Sequence, residues 1–361
     1  MRRCMFLLVL LALMTGLGGA VAKGTQIVLT FTGDCTLGSE EHLRDRPYSF
    51  DSFIAQHGYG YPFDKVLPIL QQDDVTVINF EGVLSDSARG RVKKTYNFRG
   101  PPDFVNILKA GSIELSYLGN NHTGDYGQRG YDSTIQIFEQ AGHNWFATTE
   151  YGGKTWVFEK NGVKVGFAGC YISYWVKNPQ AVKQSFEQLQ AQGCDFIVGV
   201  MHGGAEYSSQ HDRYQQRLAR FMVDNGAGLV VGHHPHVLHG VEIMDSATVV
   251  YSLGNFAFGG NKDLRSTQTM LAQFTLSFDR EGRYMGQQLN LLPAHPSGTL
   301  THNNYQPILV SGQRADSIID LVRRISPMEI QDYQEGIGAV QAFVPAAAPP
   351  LIKRDPAPVA P

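Results

Sequence analysis

The hydrophobic pattern alternates between short apolar runs and longer segments of helical periodicity. The runs are rich in Val, Ile, Leu and Phe and end at glycine or polar residues, which is typical of buried strands. They lie at residues 26–32, 75–80, 114–118, 195–201 and 229–231. The intervening helical segments lie at residues 131–141, 179–192 and 212–225, and the first and last of them stop at Gly142 and Gly226. This alternation predicts an α/β fold.

Further elements follow from turn and helix signals. Asn161-Gly162 separates apolar runs at 155–159 and 164–168 and predicts a tight hairpin. We also expect strands at 240–244 and 248–252, an antiparallel pair around residues 279–282, a short helix at 102–110 and an amphipathic helix at 311–325. The predicted organisation is one domain over residues 23–310, a helical extension over 311–344 and a disordered Pro/Ala-rich tail over 345–361.

The N-terminal residues 1–22 have the pattern of a secretory signal peptide. Arg2 and Arg3 precede an apolar run, and Ala20-Val21-Ala22 offers small residues for a signal peptidase. The alternative is an N-terminal membrane anchor, but the apolar run is shorter than the ~20 residues that a spanning helix needs. We therefore expect cleavage after Ala22 and export to the periplasm or the extracellular space.

Composition and charge narrow the function classes. The chain is 43% hydrophobic and 17% charged, which suits a folded protein rather than a disordered one. Its formal net charge of -3 provides no strong basic field, so nucleic acid is not an expected partner. Beyond the signal, Cys35, Cys170 and Cys194 border apolar runs, and we expect small buried hydrophobic residues; a Cys170–Cys194 disulfide is the alternative.

Polar residues able to bind metals follow five of the predicted strands. They are Asp34; Asn79 and Glu81; Asn121, His122 and Asp125; His202 and Glu206; and His233, His234 and His236. Each alone is more often a cap, a turn former or a hydrogen-bonded structural residue. In α/β sheets, however, ligands bind outside the carboxyl ends of strands, and imidazole is the commonest metal ligand. Their recurrence predicts one shared polar site that binds metal.

Six motifs in order resemble the bacterial CapA/PgsA family. They are Gly33-Asp34, Asn79-Phe80-Glu81-Gly82, the run from Asn120 to Gly127, the run from His202 to Tyr207, the run from Gly232 to Val237, and the run from Tyr251 to Phe256. These are poly-γ-glutamate capsule synthesis proteins with a PGA_cap domain, similar to the calcineurin-like metallophosphoesterases. The resemblance spans residues 26–258. It implies a four-layer α/β sandwich, with two mixed β-sheets flanked by helices.

The resemblance also implies a centre of two divalent metal ions. Its implied ligands are Asp34, Glu81, Asn121, His202, His234 and His236, with His233 competing with His234. His122 would be the general acid or transition-state stabiliser. This mixed set of carboxylate, amide and imidazole groups suits Mn, Zn or Fe.

The chain departs from the wider superfamily at Asp34-Cys35-Thr36, which lacks the histidine of an Asp-x-His motif. Glu206 and Asp125 are candidates to replace it, and Asn79 is a further candidate residue of the metal site. Arg99 is a candidate substrate-binding residue, with an ordinary surface arginine as the alternative.

Two functions remain open on the sequence. The first is an exported capsule or poly-γ-glutamate biosynthesis enzyme that hydrolyses or transfers an anionic ester or amide. The second is a non-catalytic binding or assembly protein for an extracellular polyanion. The expected partners are an anionic polymer or phosphoester substrate and capsule-synthesis membrane proteins.

Overall fold

A computed structural model describes residues 24–260, 263 and 265–346. The predicted signal peptide, and the predicted tail from residue 347 onward, lie outside the described residues. No helix within the described ranges combines the length and the apolar character that a membrane crossing requires.

The described residues form nineteen strands and eight α-helices. The strands are β1 (Gln26–Thr36), β2 (Val75–Phe80), β3 (Val83–Leu84), β4 (Arg99–Gly100), β5 (Leu115–Tyr117), β6 (Asn144–Thr149), β7 (Gly152–Lys154), β8 (Trp156–Lys160), β9 (Val163–Tyr171), β10 (Phe196–His202), β11 (Leu229–His233), β12 (Val241–Met244), β13 (Ala247–Val250), β14 (Asn255–Phe258), β15 (Thr269–Phe278), β16 (Tyr284–His295), β17 (Ile308–Leu309), β18 (Ala339–Val340) and β19 (Val344–Pro345). The helices are α1 (Phe50–His57), α2 (Leu67–Leu70), α3 (Val105–Ala110), α4 (Gly127–Ala141), α5 (Ile172–Lys177), α6 (Pro179–Ala191), α7 (Arg213–Asp224) and α8 (Gly312–Ile325).

Strands β3 and β4 pair with each other in a separate two-stranded sheet, and the other strands form two mixed layers. In the first, β1 pairs in parallel with β2 and β14 and antiparallel with β15, and β2 continues in parallel to β5 and β6. In the second, β9, β10, β11 and β13 run parallel, with β8 and β12 antiparallel at the sides. Strand β6 belongs to both layers, because its Thr148 also pairs with Cys170 of β9. The two layers are therefore one continuous hydrogen-bonded sheet that folds over on itself.

Residue alternation along the strands separates an inner core from two outer ones. Ile27, Leu29 and Phe31 of β1 share a buried cluster with Val198 and Val200 of β10, so the two sheet layers pack face to face. Successive strand residues point to opposite faces. The next side chains along these strands therefore face the helices.

The outer cores cover the other face of each layer. Phe80 of β2 packs with Leu108 of α3 and Phe138 of α4 in one cluster. Met201 of β10 packs with Leu218 of α7 in the other. The order helix, sheet, sheet, helix is the predicted four-layer α/β sandwich, and that prediction is confirmed.

Local signals explain where several elements begin and turn. Asp212 accepts hydrogen bonds from the backbone N–H groups of Tyr214 and Gln215, and Gln215 reaches back to complete a capping box at the start of α7. Asn161 and Gly162 both adopt positive φ between β8 and β9, as the predicted hairpin requires. The hairpin pairs β8 with β9, and α7 packs against β10, so both features belong to the second sheet layer, whose strands β10 and β11 lead to the site.

The C-terminal part of the described chain packs onto the sandwich. Ala315, Ile318 and Val322 of α8 belong to the inner cluster, and β18 and β19 pair with β16. The sequence predicted the helix but not these two-residue strands. All three cysteines among the described residues are free; Cys35 and Cys170 are buried, as expected of small hydrophobic residues.

Candidate metal centre

Parallel strand register brings the predicted site residues to one edge of the sandwich. Asp34 of β1 pairs with Asn79 of β2, and His202 of β10 pairs with His233 of β11. Gly33 lets β14 approach closely, since a Cβ there would lie 2.1 Å from the Gly254 carbonyl oxygen. The carboxyl ends of strands from both layers therefore meet at a common centre.

Asp34 is the most heavily contacted side chain of this centre. Its fully buried carboxylate accepts hydrogen bonds from Asn79 Nδ2 at 2.8 Å and His233 Nδ1 at 3.1 Å, and it lies 3.1 Å from His236 Nδ1. Burial acts to raise the pKa of Asp34, but the hydrogen bonds from His233 and His236 outweigh it and hold that pKa well below its usual range. Asp34 is thus a buried anion in contact with two imidazoles.

Glu81 carries a buried oxygen without a partner. Its Oε1 accepts a hydrogen bond from Asn79 Nδ2 at 3.0 Å, so one amide links both carboxylates of the site. Its Oε2 is buried and makes no hydrogen bond within the described part of the chain. Burial, together with the negative charge of Asp34, raises the pKa of Glu81 well above its usual value. An unpaired buried carboxylate oxygen is costly, and a bound cation would satisfy it.

His202 completes a first group of ligands. Its Nε2 donates to Asn121 Oδ1 at 2.7 Å, and its Nδ1 lies 3.8 Å from Glu81 Oε1. Burial, reinforced by His234, lowers the pKa of His202 well below its usual value, so the ring is neutral, the form that binds metals. Asp34, Glu81 and His202 each offer a ligand atom, and these atoms lie within 4.8 Å of one another.

Glu206, His234 and His236 form a second group with the same spacing, again within 4.8 Å. His234 and His236 adopt φ values of 100° and 60°, a backbone strain that is common where side chains must be aimed at a site. His234 Nδ1 is buried without a partner among the described residues, and burial lowers the His234 pKa to about 4. His233 instead contacts Asp34, so the geometry favours His234 over His233 as the ligand.

The loop that carries Glu206 is tied to the histidine loop. The Gly203 N–H donates to the His233 carbonyl at 3.0 Å, and the Tyr207 N–H donates to the Pro235 carbonyl at 2.8 Å. These bonds hold Glu206 beside its two histidines, although its side chain is exposed.

His122 faces the centre from a second loop. Its Nε2 lies 3.9 Å from Glu81 Oε2, and its Nδ1 lies 2.9 Å from Asp125 Oδ2. Asp125 also accepts from the Phe98 N–H at 2.6 Å and pairs with Lys94 Nζ at 2.5 Å. Both oxygens of Asp125 are therefore occupied. Of the two candidates to replace the missing histidine, Glu206 is the one that the structure places with other ligand atoms.

Arg99 does not contact the candidate ligands in the structure. Its largely buried guanidinium forms two-pronged hydrogen bonds with Glu41, at 2.8 and 2.9 Å from Nη2, and donates to the Ser85 carbonyl at 2.6 Å. Arg99 is not on the open surface, as an ordinary surface arginine would be. Its charge is already paired with a carboxylate, so it is not free for a substrate. The suggested substrate contact therefore has no support from its position.

Two residues of the site were not predicted. Lys94 contacts Asp125 and donates to the Asn121 carbonyl at 2.8 Å. Asn255 Oδ1 lies 2.8 Å from His236 Nδ1 and orients that ring. Asn255 follows a glycine in the last of the six motifs and begins β14, so the sequence contained a signal for it. No sequence motif marked Lys94.

The residues present fit a metal centre. Carboxylate oxygens, an amide oxygen and imidazoles converge on one edge, and two of the buried ligand atoms, Glu81 Oε2 and His234 Nδ1, have no partner among the described residues. This donor set suits divalent Mn, Zn or Fe better than thiolate-bound metals.

Comparison with known proteins is consistent with the motifs. A profile of the family described as "Bacterial capsule synthesis protein PGA_cap" matches residues 28–260. The chain is 29% identical over 258 residues to the capsule biosynthesis protein CapA of Bacillus anthracis, covering 65% of this chain but only 61% of that protein. It is 27% identical over 306 residues to the PGA biosynthesis protein CapA of Bacillus subtilis, covering 80% of this chain and 78% of that protein.

Among solved structures, Haemophilus influenzae NAD nucleotidase aligns with a TM-score of 0.42 and 10% identity, covering 85% of this chain and 64% of that one. The family profile covers well over half of the chain and spans all six of the motifs described above. This match, and not the structural alignment, shows the family. The chain therefore belongs to the bacterial capsule synthesis protein (PGA_cap) family.

Proposed function

We propose that the protein is a metal-dependent hydrolase or transferase that acts on an anionic ester or amide during capsule polymer biosynthesis. The observation that carries this proposal is the unpartnered Oε2 of Glu81, which is buried 3.9 Å from His122 Nε2. A protein that only folded around this edge would gain by replacing Glu81 with an apolar residue. A bound cation would satisfy the unpartnered oxygen and would explain why a carboxylate is present at this buried position.

The two ligand groups would hold two ions. Asp34, Glu81 and His202, with Asn121 beside them, would hold one, and Glu206, His234 and His236 the other. Divalent ions would supply Lewis-acid polarisation of the substrate when bound. Their number and identity, for which we favour Mn, Zn or Fe, belong to the proposal.

The protein's own proton chemistry would come from His122. Asp125 accepts from its Nδ1, which fixes the ring and directs Nε2 toward the centre. Burial lowers the pKa of His122, which favours the neutral ring, so Nε2 would be free to accept a proton from the attacking water or hydroxyl and, once protonated, to pass it to the leaving oxygen. Lys94 pairs with Asp125 and holds this arrangement in place.

The cellular role is proposed from the relatives. The two Bacillus relatives are named for biosynthesis of capsule and of PGA. We propose that an anionic capsule polymer or its precursor is the substrate, that capsule-synthesis membrane proteins are partners, and that the protein is exported after cleavage at Ala22.

The test is turnover by the purified chain after chelation and reloading with Mn, Zn or Fe. Substrates are p-nitrophenyl phosphate and γ-linked glutamate oligomers. Metal-dependent turnover that is lost in Glu81→Gln, and kept in the exposed control Glu139→Gln, is the expected result. Metal bound without turnover, together with tight binding of the polymer, would instead establish the assembly role. A wild-type chain that binds no metal would refute the proposal.

A further inference from the structure

A wall of aromatic rings lines one side of the candidate metal centre. Phe98 lies 4.5 Å from His122, between ring centroids, and Phe258 lies 5.1 Å from His236. Phe98 and Phe258 contact each other edge to face at 6.0 Å. The wall therefore joins the proposed proton-transfer residue to a proposed metal ligand.

Two tyrosines extend this wall outward. Tyr96 stacks on Phe98 with centroids 6.4 Å apart and is 43% exposed. The ring centroid of Tyr207 lies 5.8 Å from that of His236, and the backbone N–H of Tyr207 donates a hydrogen bond to the Pro235 carbonyl. The tyrosines thus extend the wall at two places, Tyr96 next to Phe98 and Tyr207 next to His236.

Arg265 lies beside these tyrosines. Its guanidinium is 5.4 Å from the centroid of the Tyr207 ring, a cation–π distance. Tyr207 and Tyr96 both interact with Arg265 and raise its pKa, so the residue lies beside both tyrosines. It also lines one small cavity with Asn255, the residue that orients His236.

The charge of Arg265 is available, in contrast to the charges of Lys94 and Arg99. Lys94 is paired with Asp125, and Arg99 with Glu41. Arg265 is exposed, and within the described ranges no carboxylate lies within 4.0 Å of its side-chain nitrogens. Asp263 lines the same small cavity and moderates the local charge without forming such a pair.

We infer that Arg265, held over the site by Tyr96 and Tyr207, binds an oxyanion group of the substrate at the mouth of the candidate metal centre. The inference rests on the proposed function, because it places the substrate at that centre. A planar guanidinium suits both carboxylate and phosphate, which it binds with two parallel hydrogen bonds. The aromatic wall would contact the apolar part of the same substrate. Arg265 is thus a second candidate, besides Arg99, for the substrate contact considered in the sequence analysis.

The experiment is calorimetric titration of the metal-loaded full chain with two probes, inorganic phosphate and a γ-linked glutamate trimer. Arg265→Gln should weaken binding of at least one probe about tenfold, the scale of a lost charge-assisted contact. Arg265→Lys should recover only part of the affinity, because lysine keeps the positive charge but lacks the planar guanidinium that donates two parallel hydrogen bonds. Metal content and Tm should stay at wild-type values in both variants.

Arg217→Gln is the matched control, because exposed Arg217 lies 5.8 Å from the centroid of the Trp175 ring on α5, away from the candidate ligands. It should bind both probes as wild type does. A loss confined to phosphate identifies a phosphate group as the oxyanion, and a loss confined to the trimer identifies a carboxylate; either supports the inference. Unchanged binding in Arg265→Gln overturns it, as does a metal-loaded wild type that binds neither probe. Failure of the proposed function is a separate result, namely absence of metal-dependent turnover.

Discussion

Metal binding should release protons from this site, and His236 should be a main source. Burial acts to lower the pKa of His236, but the hydrogen bond to Asp34 and the charge of Glu81 raise it from 6.5 to about 9. The ring is therefore charged at pH 7 in the metal-free protein. It must lose that proton to become a ligand. His234, with its pKa lowered to about 4, is already neutral and releases none.

The magnitude follows from the position of that pKa. At pH 7, about two units below it, roughly 99% of His236 rings are protonated, so the ring releases about one proton. At pH 9 the release falls to about half a proton. Because protons compete with the metal, apparent affinity should rise about tenfold, or ~1.4 kcal/mol, from pH 7 to 8 and about fivefold from pH 8 to 9.

The assay is calorimetric titration of the metal-free protein with Mn in buffers of different ionisation enthalpy. The slope of observed heat against buffer enthalpy gives the number of protons released. We expect about one at pH 7, and about one fewer in His236→Gln. A slope of zero at pH 7, or an equal slope in the variant, would refute the assignment of His236 as a charged residue that becomes a ligand.

Three further predictions concern turnover and export. His122→Gln should lower turnover by ~10²–10⁴-fold with nearly unchanged metal content, whereas His236→Gln should also lower metal content, both checked by rate and elemental analysis; loss of metal in His122→Gln would make that residue a ligand. Lys94→Met should lower turnover about 10–100-fold in the wild type and add little in the His122→Gln background, since Lys94 acts through His122; a fully additive double variant would contradict this. Mass spectrometry of the native protein should find a mature chain that begins at Lys23; an intact N-terminus in the membrane fraction would indicate an anchor.

The strand-end residues were predictable because sheet geometry is regular. Parallel strands place their carboxyl ends at one edge, so a polar residue after each apolar run is brought to the same place without any further information. Asp34 opposite Asn79, and His202 opposite His233, are direct products of that register. The α/β class followed from the alternation of apolar runs and helical segments, whereas the four-layer arrangement followed from the resemblance to the family.

Contacts made by loops were not predictable. Lys94 reaches Asp125 only because the intervening chain folds back, and the partner of Arg99 is Glu41, 58 residues away. Neither pairing follows from a hydrophobic period or from a turn motif in the sequence. The choice between His233 and His234 also depended on backbone conformation, since the positive φ of His234 turns it out of the strand.

The most direct test of the central claim is anomalous diffraction from crystals of the Mn-loaded protein, measured at the Mn absorption edge. We expect a peak in contact with Asp34, Glu81 and His202, and a second peak in contact with Glu206, His234 and His236. An Asp34→Asn crystal should lose the first peak. Crystals without a peak at this edge of the sandwich, or with Mn bound only elsewhere on the molecule, would contradict the account.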